Sequence, residues 1–387
     1  MTNGTTLVIG GGAIGTSVAY FLAKNGSDVV LLEQNQIASG ATGRALGGVR
    51  NLFSHPITVE LMNRNIEFFS NFSENVSDEF EFHRSGYLFL LRNEEIRSVW
   101  EQRMDLYRRL GVDAEFITPS EVEERIDCID VSDFEGALLG NDCGFIDPHL
   151  TTQAFANAAK AEGAEVKTGT PVEDVLVSNG RVTGVETSIG RFDADNVVNA
   201  TGAWGNELSS KVGVELPVDF VQHGYLVLDT LGIRDSPLII DESRDTNFRA
   251  EANGETVVSL EKKPLENRVD TPRVRQEDKI RALERVSGLI PGISDLSIKN
   301  HWTGVLATTP DGHPIVGETD VDGLYVACGF SGHGLMMSPT VGMAISDAIV
   351  TGSTDVIDFD QLGPDRFDGP ERLTPEAKTT SGTQTNE

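Results

Sequence analysis

The stretch LVIGGGAIGTSVAYFLAKNGSDVVLLE, Leu7 to Glu33, holds Gly10, Gly12 and Gly15 in G-x-G-x-x-G spacing. Each glycine answers a different need. Gly10 permits a tight turn, Gly12 lets the backbone approach a pyrophosphate, and Gly15 lets a helix pack closely on a strand. The helix that starts at Ala13 and Ile14 offers free N–H groups and the positive end of its dipole to phosphates. Glu33, 18 residues after Gly15, ends the next strand and is followed by Gln34. A carboxylate there accepts hydrogen bonds from ribose hydroxyls and disfavours a 2′-phosphate. A glycine turn of pure packing origin would show the same three residues, but the full strand–turn–helix–strand context and its acid point to a bound dinucleotide. The stretch by itself does not say which one.

Three further segments select a flavin over a nicotinamide. ASGATGRALGGVR (38–50) is a small-residue loop directly after Glu33, suited to lie along a pyrophosphate and ribityl chain. VVNATGAW (197–204) is a buried strand ending in a glycine turn that can return to the same nucleotide. GLYVACGFSGHGLMMSPTVG (323–342) is a strand, a turn with Gly329, Gly332 and Gly334, and a helix from about Leu335. That second helix N-terminus suits the pyrimidine edge of an isoalloxazine, where negative charge develops on reduction.

Together these four stretches resemble the D-amino-acid-oxidase-like FAD-dependent oxidoreductases, in the branch of sarcosine oxidase, glycine oxidase and the amino-acid dehydrogenase β-subunits. The resemblance covers about residues 5–350, and TPDGHPIVG (309–317) and GFSGHG (329–334) are its most specific parts. It implies α/β and α+β domains: a Rossmann-like FAD-binding domain plus a substrate domain with a mixed, largely antiparallel sheet. The FAD-binding domain is expected from 1–50, 145–216 and 301–363, the substrate domain from 51–144 and 217–300, and a disordered tail at 364–387. Gly10, Gly12, Ala13, Ile14, Gly15, Glu33 and Gln34 are expected to bind the ADP half of FAD. Ser39, Thr42, Gly43 and Arg44 run by the pyrophosphate, Val172 meets the adenine, and Thr201 and Gly202 approach the nucleotide. Gly332, His333, Gly334, Leu335 and Met336 line the flavin. Arg50, closing GGVR, matches an arginine near the flavin face, and His333 joins it in the expected catalytic set.

The departures from the family pattern carry as much information. A lysine of monomeric sarcosine oxidase, two residues beyond GFSGHG, is replaced by Met336, which favours a dehydrogenase over an oxidase. The cysteine that holds flavin covalently there is Gly304 here, so FAD is expected to be non-covalent. A second carboxylate-binding arginine is Phe53, and a glycine-oxidase arginine is Leu306. The usual carboxylate clamp is therefore not intact. Arg249, in NFRAEANG, is the candidate replacement, since a guanidinium grips a carboxylate bidentately. Phe248 is a candidate pocket wall, and His223 and His301 are candidate pocket polar groups. The implied reaction is oxidation of the C–N bond of an amino acid or N-methyl amino acid by hydride transfer to flavin N5, with hydrolysis of the imine. One alternative is a flavin dehydrogenase of a 2-hydroxy acid or polyol phosphate, with His223 or His301 as base. Another, of a different class, is a nicotinamide-binding or non-catalytic module.

Behind these residues stand elements that must position them. Periodicity predicts a strand at 5–9, a helix at 13–25, helices at 56–75 and 94–110, a strand at 86–92 and a helix from 147 capped by Asp147 or Thr151. A β-meander is expected over 172–202, antiparallel strands over 217–262 and a helix at 275–288. Composition fits a globular chain: 387 residues, 39% hydrophobic. The 60 acidic against 31 basic residues give a net charge of −29, which argues against nucleic acid or an anionic membrane as partner. The excess is spread along the chain as an acidic surface. Cys128, Cys143 and Cys328 lack the spacing of a disulfide framework or zinc site, and the seven histidines show no metal spacing, so no metal is expected. A first strand near residue 5 and the lack of an 18-residue apolar run suggest a cytoplasmic protein without a membrane span. The partner is a small-molecule substrate; the electron acceptor is open between O2 and a carrier, and a partner subunit is possible.

Overall fold

The computed structural model describes residues 4–77, 80–126, 128–234, 236–270, 272–369 and 373–376. The fold is mixed α/β and is organised, among these residues, around two large sheets. The first has six strands, ordered Ile315–Glu318, Leu324–Cys328, Asn196–Asn199, Thr6–Ile9, Val29–Leu32 and Glu165–Lys167. Its inner strands pair in parallel, and only Ile315–Glu318 runs antiparallel to its neighbour. Thr6–Ile9 sits at the centre and is buried at every position, as expected of a β-strand covered on both faces.

The helix Ala13–Lys24 follows that central strand. It packs against the helix Gly334–Thr351 from the far end of the chain. Ser17 donates its hydroxyl to the Ser338 carbonyl at 2.8 Å. A Cβ at Gly342 would lie 2.4 Å from Ser17 Oγ, so a glycine is what allows this approach. The two glycine turns of the sequence are thus joined through the helices they begin. Gly334–Thr351 is long and apolar enough to cross a membrane by length and composition, yet 67% of it is buried inside the fold.

The second sheet has nine strands, mostly antiparallel, built on Asp219–Thr230, which pairs with Glu255–Ser259, Lys263–Leu265 and Ile298–Thr308. Tyr87–Leu91 enters it beside Leu238–Asp241 as a parallel pair. One face packs on the helix Gln276–Ser287 through Leu226, Phe248, Val258 and Ala282. The other face looks toward the six-stranded sheet, and a cavity lies between them.

Helix and strand expectations hold within a residue or two at most sites. Asp147 rather than Thr151 caps its helix, accepting from Leu150 N at 2.8 Å. The expected helix 56–75 is two, Pro56–Ser70 and Phe72–Asn75, divided at Asn71. Residues 301–308, assigned above to the FAD-binding segment, belong to the nine-stranded sheet, because Ile298–Thr308 pairs with Asp219–Thr230 over its whole length. The tail expectation also needs correction. Pro364–Phe367 forms a 3-10 turn. Arg366 there is 7% exposed and grips Asp311 through two guanidinium nitrogens, at 2.9 and 3.1 Å. Residues 373–376 also pack back: Thr374 O meets His313 Nε2 at 3.1 Å, and Glu376 accepts from the Ser54 and His55 amides. The remaining tail positions, 370–372 and 377–387, lie outside the described residues.

Candidate active site

Gly12 and Gly334 open onto one continuous cavity of about 1400 Å³. That exceeds the roughly 300–1,000 Å³ of an ordinary small-ligand site and leaves room for both a dinucleotide and a substrate. Its nucleotide end is made of backbone. Gly10 adopts φ +109°, and a Cβ there would meet Ala200 O at 2.5 Å; a Cβ at Gly15 would meet Gly10 O at 1.9 Å. These two glycines serve the turn itself. Gly12 differs: a Cβ would meet only Thr42 Oγ1, at 3.1 Å, so its missing side chain keeps the cavity open rather than the fold closed. Gly202, at φ +61°, has nothing within 4 Å of its would-be Cβ and also lines the cavity.

Both helices that start here lack an N-cap side-chain bond, at Gly12 and at His333. Apart from Ala13 N, which Thr42 Oγ1 takes, their first-turn N–H groups and positive dipole ends are left to the cavity. Glu33 is buried and accepts from Gly11 N and Asn35 N, each at 2.7 Å, one per carboxylate oxygen. Each oxygen keeps further acceptor capacity for a hydroxyl. The loop after Glu33 is pinned by its own residues. Arg44 donates to Ser39 O and Gly40 O. Thr42 Oγ1 accepts from Ala13 N at 3.2 Å, and Trp302 Nε1 donates to Arg44 O at 3.0 Å. Ile14, Gln34, Ser39, Thr42, Arg44, Val172 and Thr201 all line the cavity. Gly15 and Gly43 do not; Gly43 is packed against Ala38 O and the His149 ring.

At the middle of the cavity the structure brings Arg50 to His333. Arg50 Nη2 lies 3.2 Å from His333 Nε2, and Nη1 donates to Leu52 O at 2.5 Å. The guanidinium sits 4.1 Å over the Phe53 ring, which in turn meets His333 edge-on. Burial first, then the Arg50 charge, hold the His333 imidazole well below its usual pKa, so it is neutral at pH 7. Since arginine can only donate, Nε2 is the acceptor and the ring proton sits on Nδ1. Phe53 thus serves as the platform for Arg50. Gly332, Gly334, Leu335 and Met336 line the same region.

The substrate end is built from one face of the nine-stranded sheet. Strand pairing sets Tyr225 opposite Ser259, Asn247 opposite Ile240 and Ile240 opposite Phe89, and Asn247 N donates to Ser259 Oγ at 2.9 Å, so the five form one row across five strands. All five line the cavity. Alternation then decides the neighbouring candidates. Phe248 faces the opposite way, into the core under Gln276–Ser287, and does not wall the pocket. Arg249 points to the cavity side but is spent there on structure. It pairs with Glu251 Oε1 at 2.5 Å, donates to Leu46 O at 3.2 Å, and stacks 3.6 Å over Phe145. It is 4% exposed, and the cavity lining excludes it. A catalytic role for Arg249 is thus replaced by a bracing one. His301 is exposed and outside the lining, whereas His223 is in it. Burial, with the Lys262 charge second, brings His223 down to about 3. Burial likewise raises Tyr225 to about 12, so its phenol stays protonated. Tyr87, Asn247, Ser259 and Lys262 were not singled out from sequence; only the period-2 phase of their strands, fixed by which neighbours are buried, could have marked them.

Comparison with known proteins places this geometry. The profile of the family described as DAO, FAD dependent oxidoreductase, matches residues 5–348. The chain is 28% identical over 365 residues to mitochondrial sarcosine dehydrogenase of Homo sapiens, covering 89% of this chain but 39% of that protein. Among solved structures it is similar to L-proline dehydrogenase from P. horikoshii, with TM-score 0.88, 30% identity, and coverage of 94% of this chain and 97% of the other. It is also similar to glycine oxidase from Bacillus cereus ATCC 14579, with TM-score 0.81, 26% identity, and coverage of 93% and 98%. The chain belongs to the FAD-dependent oxidoreductase family. FAD is the cofactor of that family, and the residues fit it: the opening at Gly12, the two uncapped helix ends and the acceptor oxygens of Glu33 suit the parts of a flavin dinucleotide.

Proposed function

We propose that this FAD-dependent oxidoreductase oxidises the C–N bond of an amino acid or N-methyl amino acid, with non-covalently held FAD and with a carrier rather than O2 as electron acceptor. FAD supplies the two-electron acceptor. Removal of two electrons and two protons from the substrate's H–C–N–H unit gives an imine, which water hydrolyses to a carbonyl compound and an amine.

The observation that carries this reading is the Arg50–His333 pair in the cavity that both glycine turns line. Arg50 holds a fixed positive charge against His333, where it can stabilise developing negative charge without reorganisation. His333 Nε2 accepts from Arg50 and holds the guanidinium in place. Neither group needs to remove a proton, which suits a neutral amine. The aromatic row and the protonated Tyr225 supply positioning. The 2-hydroxy-acid alternative needs a base, and the groups on hand are ill suited: His223 titrates at about 3, and His333 Nε2 is already engaged. The similarity to a sarcosine dehydrogenase and an L-proline dehydrogenase supports a secondary amino acid as substrate. Gly304 lies against Arg44, with a would-be Cβ 2.8 Å from Arg44 Cδ, which supports a non-covalent cofactor.

The test is anaerobic bleaching of the flavin in the purified protein by a panel of primary, secondary and tertiary amino acids and 2-hydroxy acids. Bleaching by a secondary amino acid, with slow recovery in air, is the expected result. Bleaching by hydroxy acids alone overturns the C–N assignment, and rapid peroxide formation overturns the carrier assignment.

A further inference from the structure

Residues 373–376 have no part in the nucleotide or substrate contacts described above, yet they return to the cavity, and Pro375 and Glu376 line it. They bridge two segments that are far apart in sequence. On one side is the turn 309–313, which is tied to the turn before the helix Gly334–Thr351 by the bond from Thr309 N to Ser331 Oγ at 3.3 Å. Glu376 N donates to Asp311 O at 3.0 Å, and His313 Nε2 donates to Thr374 O at 3.1 Å. Leu373 packs against the core. On the other side is the loop 50–55. There the Glu376 carboxylate accepts from Ser54 N through one oxygen and from His55 N, at 3.3 Å, through the other.

That loop carries Arg50. It lies between the short strand Gly48–Val49 and the helix Pro56–Ser70 and is itself neither strand nor helix. Arg50 leans on its own loop twice: Nη1 donates to Leu52 O at 2.5 Å, and the guanidinium rests 4.1 Å over the Phe53 ring. The place of the guanidinium therefore follows the place of the loop. Side chains from elsewhere fix its middle. Asn51 is bonded to Asn63 and to Cys143, and Tyr107 donates to Phe53 O at 3.1 Å. Glu376 acts directly after Phe53 and does so with a charged acceptor, whose hydrogen bonds are roughly twice as strong as neutral ones.

We propose that Glu376 is a positioning residue for Arg50: its carboxylate, on the Ser54 and His55 amides, fixes the end of the loop that carries Phe53 and so keeps the Arg50 guanidinium beside His333. The inference rests on the reading above that Arg50 stabilises negative charge as the flavin is reduced, and it assigns the placement of that arginine to the far end of the chain. A direct effect of the Glu376 charge would have the opposite sign. A carboxylate lining the cavity disfavours a more negative flavin, so its removal would favour reduction, whereas loosening Arg50 disfavours reduction.

The experiment uses the FAD-loaded protein in anaerobic equilibrium with a redox dye and reads the ratio of reduced to oxidised flavin by absorbance. Arg50→Met is expected to lower that ratio about tenfold to a hundredfold, the range for loss of a hydrogen bond to a charged group, and Glu376→Ala to lower it about threefold to tenfold. Glu376→Gln, which keeps one acceptor oxygen without the charge, should recover part of the loss. In an Arg50→Met background Glu376→Ala should add nothing, because residues that act through one another are not additive. The Ser54 and His55 amides should exchange faster in Glu376→Ala than in wild type, with flavin content unchanged. A ratio that rises in Glu376→Ala, one that falls equally with and without Arg50, or unchanged amide exchange overturns the proposal. If Arg50→Met leaves the ratio as in wild type, the flavin role of Arg50 falls and takes the Glu376 role with it. If Arg50→Met lowers the ratio and Glu376→Ala does not, the Glu376 role alone falls.

Discussion

The two ends of the cavity are made of different material. At the nucleotide end the contacts come from backbone: Gly10, Gly12 and Gly202, the first turns of two helices, and a carboxylate held by two amides. At the substrate end they come from side chains that rise from separate strands and meet only across the sheet, Phe89 beside Ile240 and Asn247 beside Ser259. A backbone site needs particular residue types at fixed spacing in one short stretch. A side-chain site on a sheet needs only the right phase on each strand, and the residue type is free to change with the substrate. The first kind is set by local geometry; the second is set by register.

The sharpest way to break this comparison is at the glycines. Gly12→Val places a branched side chain where the cavity is open and meets only Thr42 Oγ1 within the fold. It is expected to abolish FAD retention while leaving the circular dichroism spectrum and a cooperative melt in place. Gly15→Ala, whose Cβ would fall 1.9 Å from Gly10 O, is expected to prevent accumulation of folded protein altogether. Visible absorbance of the purified variants reads the first, and soluble yield reads the second. A yellow Gly12→Val protein would mean that the nucleotide end does not work through its backbone.

The same contrast explains what the sequence disclosed. The turn at Gly10–Gly15, the acid at Glu33, the loop 38–50 and the turn before Leu335 were legible because each is a local pattern with a local cause. Arg50 and His333 were legible only as members of such patterns, and their 3.2 Å contact was not. The substrate end misled. NFRAEANG offers Phe248 and Arg249 as the conspicuous pair, yet alternation sends Phe248 into the core beneath Gln276–Ser287, and Glu251 captures Arg249. The informative residue was Asn247 between Thr246 and Phe248, ordinary in type and visible only once the phase of the strand is known. Arg366 escaped for another reason: a polar, proline-bearing tail reads as unstructured until Asp311, far away in sequence, supplies a buried partner.

Arg249 sharpens the comparison within the substrate end itself, since it is a cation on the cavity side of the sheet that is spent on structure. Arg249→Met leaves Glu251 without its partner and removes the bond to Leu46 O. Breaking a buried pair costs about 3–5 kcal/mol, and the partial exposure of Glu251 sets the expectation near the lower value. Denaturant melts should register that loss, while binding of propionate, a carboxylate with no amine to oxidise, stays within about twofold of wild type in the folded variant. A large loss of propionate affinity with unchanged stability would return Arg249 to the binding role.

The smallest expected effect concerns acid, and it falls on the substrate end. His223 and His333 are kept neutral chiefly by burial, His223 down to about 3. In the unfolded chain both titrate near 6.5. Below that pH the unfolded state binds protons that the folded state refuses, so stability is present above about 6.5 and is lost as pH falls. For His223 the loss is at most about 1.4 kcal/mol per pH unit between 6.5 and its folded value. His223→Gln removes this titration and should narrow the gap between urea midpoints at pH 7.5 and pH 5. In wild type at pH 5, amide exchange should rise in Asp219–Thr230, which carries His223, before it rises in Thr6–Ile9 at the centre of the other sheet. Exchange that rises equally in both strands would mean that acid reports on the whole fold, and that the two ends of the cavity, unlike in construction, are not separable in stability.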